Sequence, residues 1–184
     1  MTKWTRRGFV LAGGATGLAA CTNSTINQNS SELNQRVDIA RSEMFRTVPG
    51  AEQLASQAAG VLIVPDVTQA GLFFGGSYGE GALLIGEAKV GYFTYAAASI
   101  GPQIGVSQYN HALFFMTQET LTRFRYSDGW QLGVDAEFTT PEEAGSLGVT
   151  TTTINLPVYA LVYGQQGLIV GATLEGGKYS RVNR

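Results

Sequence analysis

The chain has 184 residues, of which 14% are charged, and it carries 12 basic and 14 acidic side chains. A chain of this length has room for one domain with a sizeable core. Its slight negative charge argues against a nucleic-acid-binding protein, which needs a basic surface to neutralise phosphates. The charged fraction is well below the roughly 25% that is usual for soluble domains, so we expect part of the surface to meet a membrane, a ligand or a partner.

Residues 1–20 show the order of features of a lipoprotein export signal. Basic residues that include Arg6 and Arg7 precede a short apolar run, and small residues then lead to Cys21, the only cysteine. The arginine pair resembles a twin-arginine export motif and residues 18–21 resemble a bacterial lipobox, which implies cleavage before Cys21 and acylation of its thiol. The alternative is an amphipathic or disordered tail. The apolar run is shorter than the ~20 residues that a transmembrane helix needs.

Cleavage before Cys21 would leave nine basic and 14 acidic residues, a net charge of −5. This charge weakens any attraction to anionic lipid, and no cysteine remains for a disulfide. Because Thr22 and not aspartate follows Cys21, we expect delivery to the periplasmic face of the outer membrane if the organism has two membranes.

Residues 21–31 are rich in Asn, Ser and Thr and predict a flexible tether, so the domain is expected over residues 32–184. Residues 32–46 predict a helix because apolar side chains recur at a spacing of three to four residues. The side chains on this stripe are Leu33, Val37, Ala40 and Met44. A second short helix is predicted over residues 51–59, between Pro49-Gly50 and Gly60.

Short β-branched and aromatic runs separated by glycine then predict eight or nine strands, the first ending at Pro65-Asp66. Residues 130–138 give the clearest alternation, with Trp130 on the apolar face, and residues 164–167 predict a hairpin turn. One helix, N-capped by Thr117, interrupts the strands. The predicted class is α+β: an antiparallel β-rich sandwich or barrel with two N-terminal helices and one short inserted helix.

The sequence contains no recognisable catalytic or metal-binding motif. His111 is the only histidine and lies in an apolar strand pattern, so we interpret it as a core or rim residue. The glycine-rich segment 75–81 lacks the spacing of a phosphate-binding loop, and its glycines are better explained by hairpin corners or by close approach of two backbones. We therefore predict no catalytic residue, no metal and no cofactor.

An ordered set of short motifs resembles the SYLF domain family and covers roughly residues 35–183. Their common features are glycines beside short apolar runs, and they occur at residues 59–65, 70–84, 101–105, 112–116, 127–130, 158–160, 164–168 and 176–178. Eukaryotic SYLF proteins bind phosphoinositides and related anionic lipids, some bundle actin, and bacterial members are commonly exported lipoproteins. The family often has lysines where this chain has Ala59 and Ala70, so phosphoinositides are not an expected partner here. Actin is not an expected partner either, because an exported protein does not meet it in a periplasm.

The resemblance implies that the domain binds phospholipid or another amphiphile without catalysing a reaction. The side chains that we predict to contact lipid are aromatic or basic, and they are Phe73, Phe74, Tyr78, Lys178, Arg181 and Arg184. For the aromatic residues the alternative is ordinary sheet core, and for the basic ones it is a solvated tail. The competing function is a structural or protein-interaction lipoprotein that has no lipid ligand beyond its own acyl chains.

Overall fold

The computed structural model describes residues 22–133, 135, 138–139, 156–167, 174 and 176–184, with side chains from Ser30 onward except those of residues 72–73, 99–104 and 138–139. The predicted export signal and Cys21 lie outside the described residues. The described helices and strands follow one another in the order α1 Thr22–Thr47, α2 Ala51–Gln57, β1 Gly60–Ile85, β2 Ala88–Phe115, α3 Gln118–Tyr126, β3 Trp130–Gln131, β4 Phe138–Thr139, β5 Val158–Gly167 and β6 Lys178–Val182.

Two very long strands, β1 and β2, form one antiparallel hairpin that dominates the fold. Their pairing runs from Gly60 opposite Phe115 to Ile85 opposite Ala88. The hairpin folds back on itself, as two close approaches within β1 show. A Cβ atom on Gly60 would lie 3.2 Å from the carbonyl oxygen of Leu84, and a Cβ atom on Gly71 would lie 2.7 Å from the Cα atom of Gly75. The start of β1 and the end of β2, which pair with each other, therefore lie near the hairpin turn, and the bend lies between Gly71 and Gly75.

The folded hairpin has two ends that differ in their surroundings. We call the turn at residues 85–88, together with the strand ends at Gly60 and Phe115, the base end. We call the opposite part, residues 68–78 of β1 and 96–108 of β2, the bend end.

The remaining strands extend the hairpin into a curled six-stranded sheet of order β3-β6-β2-β5-β4, with β1 on β2. The first half of β2 pairs with β6 and its second half pairs with β5, and only β4 runs parallel to its neighbour. This sheet and three helices confirm the predicted α+β class, with two N-terminal helices and one inserted helix.

Both faces of the sheet are buried near the base end. The inner face encloses a core of large side chains that includes Phe93, Phe115, Phe124, Trp130 and Tyr179. The outer face packs against the apolar stripe of α1, and the predicted stripe residues are all buried there together with strand residues such as Ile63, Leu84 and Phe114.

The predicted N-cap of α3 is also confirmed, because the Thr117 side chain accepts a hydrogen bond from the Thr120 N–H.

The structure differs from the predicted elements at four places. Helix α1 begins at Thr22, so residues predicted as a tether are helical. Strand β1 does not end at Pro65-Asp66 but continues through a register irregularity, with Asp66 in the left-handed region at φ 51°. The predicted strand over residues 130–138 ends early, because Gly133 has φ 84° and the Asp135 N–H donates back to the Gln131 carbonyl.

The fourth difference concerns the predicted hairpin turn at residues 164–167. These residues belong to β5, which continues along β2 as far as Gly167 opposite Ser107. Apart from Gly86 in the hairpin turn, the glycines between the predicted short strands of residues 61–115 likewise lie inside β1 and β2, so the prediction that they mark strand boundaries was wrong. Glycine here serves close backbone approach, as at Gly81, where a Cβ would collide with the Ile63 carbonyl oxygen.

Candidate functional site

The two most exposed aromatic rings among the described side chains of the sheet lie at the bend end. Phe74 is 76% exposed and Tyr78 is 56% exposed, whereas most described aromatics of β1, β2, β5 and β6 are buried. Their register against β2 is continuous from Phe74 opposite Ile100 to Tyr78 opposite Ala96, so both side chains point to the outer face of the sheet. They lie about 13 Å apart along the strand.

A basic side chain lies in the same row of the sheet as Tyr78. Ala96 pairs with Tyr78 on one side and with Lys178 on the other, which places Lys178 on the outer face as well. The exposed Lys178 runs over Gly129, whose φ of 99° and lack of a Cβ leave room for the lysine stem. Since Ala96 is small, Tyr78 and Lys178 can meet one ligand surface together.

The next row contains a charged cluster that limits the positive charge of this surface. The Arg184 guanidinium donates to one carboxylate oxygen of Glu80 at 2.5 Å, and the Tyr78 hydroxyl donates to the other at 3.3 Å. Desolvation and the charge of Glu80 raise the pKa of Tyr78 above its usual value, so its phenol stays protonated at neutral pH. Arg184 is thus neutralised locally, whereas Lys178 has no acidic partner among the residues that the structure describes.

The structure brings together four of the six predicted lipid contacts. Phe74, Tyr78, Lys178 and Arg184 share the outer face, whereas Arg181 pairs with the inward-pointing Phe93 and lies on the opposite face. Arg181 therefore cannot contact the same ligand surface as Lys178, because side chains an odd number of residues apart in a strand point to opposite faces. The side chain of Phe73 lies outside the described residues.

Two contributors to this surface were missed by sequence reasoning. Val106, 58% exposed, lies at the bend end opposite Ala70, and Glu80 supplies the carboxylate that holds Arg184. The sequence signal for Val106 was its place in a short apolar run that predicts a strand but does not say which side chains are exposed. No local pattern links Glu80 with a residue 104 positions away.

A second polar group is buried inside the curled sheet, around His111. Its Nε2 atom lies 3.1 Å from the Tyr179 hydroxyl, and its ring packs edge-on against Tyr95 with 4.6 Å between centroids. Burial lowers the pKa of His111 to about 3, and burial raises the pKa of Tyr179 well above its usual value. These groups are fully enclosed and uncharged at neutral pH, which fits the expected core histidine.

A cavity of about 310 Å³ opens between α1, α2 and the base end. Its walls include apolar side chains such as Met44, Val61 and Leu84, and its mouth is bordered by Arg41 and Glu87. The two nitrogens of the Arg41 guanidinium donate to the two oxygens of Glu87 at 2.6 Å each. This ion pair joins α1 to the hairpin turn, so its first role is structural.

The part of the chain that the structure describes holds no cluster of three His, Cys, Asp or Glu side chains suited to a metal ion. Among the same residues, no helix has the length and apolar character needed to cross a membrane.

Comparison with models of protein families gives a match in the C-terminal part of the chain. Residues 96–183 match the family model Ysc84, described as a Las17-binding protein actin regulator. This segment runs from the first half of β2 to the end of β6 and contains Lys178 and Arg181. No curated protein matches the chain.

Proposed function

Because residues 96–183 match the Ysc84 model, which is that of the SYLF family indicated by the sequence motifs, we propose that this protein is a non-enzymatic, lipid-anchored component of the cell envelope. Its SYLF-like domain binds phospholipid or another amphiphile. The observation that carries the proposal is the outward pair Phe74 and Tyr78 in the same face as Lys178, at the bend end of a sheet whose base end is covered.

The chemistry of these side chains fits a bilayer interface. Phe74 offers an apolar ring for the acyl boundary, and Tyr78 combines an apolar ring with a protonated hydroxyl, a combination enriched where lipid meets water. Lys178 has a long aliphatic stem that can stay apolar while its ammonium group reaches a phosphate. Since Arg184 is paired with Glu80 and the mature chain is acidic, apolar contact is the main source of affinity.

The N-terminal residues support membrane attachment by a separate route. Arg6 and Arg7 would direct export, and acylated Cys21 would hold the domain at the membrane, on the periplasmic side of the outer membrane in a two-membrane organism. Cys21→Ser should leave an uncleaved precursor or release the protein from the membrane fraction. Unchanged mass and unchanged membrane partition would contradict the anchor.

The alternative, a structural or protein-interaction lipoprotein, has its own support. The described interior is filled by side chains such as Tyr95, Phe115 and Trp130, and the matching family model is described by a protein partner. In this case Phe74 and Tyr78 would contact a protein, and lipid would be met only through the acyl chains of Cys21. In the envelope that protein would not be actin.

Flotation with liposomes separates the two functions. The mature chain with Cys21→Ser, expressed without residues 1–20 and unable to be acylated, is mixed with zwitterionic or anionic liposomes over a series of salt concentrations. The proposal predicts flotation that persists as salt rises, because the apolar contribution is not screened. Absence of flotation with both liposome types, together with no lipid bound to the purified protein, would favour the protein-interaction function.

A further inference from the structure

Helix α1 has a defined direction across the hairpin. Arg41 contacts Glu87 at the hairpin turn, and three residues earlier Asp38 contacts Lys89 at 2.6 Å. One further turn toward the N-terminus, the Asn34 side chain accepts a hydrogen bond from the Tyr92 hydroxyl at 3.1 Å. Along the hairpin turn and the first half of β2, each step toward the start of α1 therefore meets a residue further from the turn.

The same direction carries the start of α1 toward the level of the exposed aromatics. From Asn34 back to Thr22 the helix continues for about 18 Å at a rise of 1.5 Å per residue. From Tyr92, the strand β2 reaches Ala98 after about 20 Å. Ala98 pairs with Gly76, which lies midway between Phe74 and Tyr78 in β1. Extended in this direction, α1 brings Thr22 to the level of residues 74–78 along the first half of β2.

This geometry is held firmly, because α1 is fixed to the sheet at several points. Besides the two ion pairs at Arg41 and Asp38, the Glu43 carboxylate accepts a hydrogen bond from Asn110 at 3.2 Å. The apolar stripe of the helix is buried over the same span. Thr22 is the first described residue of α1, so the helix that these contacts fix is described from the residue that follows the predicted anchor, Cys21, in the sequence.

We propose that the bend end of the hairpin rests on the same phospholipid bilayer that holds the acyl chains of Cys21, with Phe74 and Tyr78 at the interface. The inference rests on the proposed function and adds an orientation to it. A helix that starts at the anchor keeps Phe74 and Tyr78 close to the bilayer and so raises their effective concentration there. Binding at the bend end therefore needs little intrinsic affinity for lipid. The base end and the exposed Ile39 of α1 face away from the membrane.

Tryptophan quenching on the acylated protein tests this orientation. The mature chain has one tryptophan, Trp130, which is 1% exposed and serves as a constant background. Phe74→Trp places a probe at the bend end, and Ile39→Trp is the matched control, since the two parent side chains are 76% and 68% exposed. Each acylated variant is purified from membranes and reconstituted into phosphatidylethanolamine–phosphatidylglycerol vesicles with or without brominated acyl chains.

Brominated lipid should remove most of the emission that Phe74→Trp adds to that of Trp130, and almost none of the emission that Ile39→Trp adds. Equal quenching of both probes, or quenching of the Ile39→Trp probe alone, would overturn the orientation. Flotation of the chain with Cys21→Ser keeps the two proposals distinguishable. Quenching at position 74 without flotation would support the orientation and contradict the lipid affinity of the unacylated domain. Flotation without quenching at position 74 would support that lipid affinity and contradict the orientation.

Discussion

The base end and the bend end of the hairpin are built from the same two strands, yet their aromatic and apolar side chains meet different surroundings. At the base end, Leu84 and Phe114 lie beneath α1, and Phe115 lies in the inner core with α3. At the bend end, Phe74 and Val106 are more than half exposed. The difference arises because helices cover the base end, while nothing among the described residues covers these two side chains.

This contrast separates two uses of apolar residues within one sheet. Burial at the base end provides folding stability in a chain that has no cysteine after Cys21 and therefore no disulfide. Exposure at the bend end contributes nothing to the core, so these positions can be changed without unfolding the domain. Mutations at the base end should therefore lower the free energy of unfolding, whereas mutations at the bend end should weaken binding to liposomes.

The largest expected effect is on stability at the inner core of the base end. Trp130 is surrounded by Phe115, Phe124 and Tyr179, with ring centroids 5.3 to 6.0 Å away. Trp130→Ala should lower the free energy of unfolding by about 3–5 kcal/mol through lost transfer energy and a cavity. Denaturant unfolding measures it, with Phe74→Ala as the exposed comparison, for which we expect a change within about 0.5 kcal/mol. Similar losses for both variants would remove the contrast between the two ends.

A smaller loss is expected where the two halves of β1 approach each other. A Cβ on Gly81 would collide with the Ile63 carbonyl oxygen, a backbone atom that cannot move away cheaply. Gly81→Ala should therefore cost about 1–3 kcal/mol of unfolding free energy. Gly76→Ala at the bend end is the control, because its Cβ would meet only the Ala97 carbonyl oxygen at an ordinary 3.6 Å. If the control loses as much as Gly81→Ala, the hairpin is not folded back as described.

The buried histidine predicts a pH dependence of stability. Burial lowers the pKa of His111 to about 3, whereas the unfolded chain binds a proton near pH 6.5. Between these values the unfolded state binds more protons, so stability is full above pH 6.5 and falls by up to about 1.4 kcal/mol per pH unit below it.

Unfolding measured between pH 7 and pH 5 tests this, since few carboxylates titrate in that window. His111→Phe keeps an aromatic ring beside Tyr95 but cannot take a proton, and it should be less stable than the parent at pH 7, because the Tyr179 hydroxyl loses its partner. Its stability should stay nearly constant down to pH 5. A parallel fall in both proteins would mean that His111 is not the group responsible.

Local patterns in the sequence predicted the elements whose stability depends on near neighbours. The stripe from Leu33 to Met44 and the cap at Thr117 were predicted correctly, and both depend on residues within about one turn. The continuity of β1 through Asp66 and the end of β3 at Gly133 were not predicted, because each depends on distant strands or on one backbone conformation. The same limit applied to the site, where alternation alone could not decide whether Phe74 is covered.

The claim that the bend end binds lipid is tested most directly by changing its two exposed aromatics. The mature chain with Cys21→Ser is compared with the same chain carrying Phe74→Ser and Tyr78→Ser, and with an Ile39→Ser control, by flotation with phosphatidylglycerol-containing liposomes. Each bend-end substitution removes up to about 1.5–3 kcal/mol of apolar transfer energy. We predict that the double variant stays at the bottom of the gradient with its unfolding curve unchanged, while the control floats like the parent. Undiminished flotation of the double variant would contradict the account.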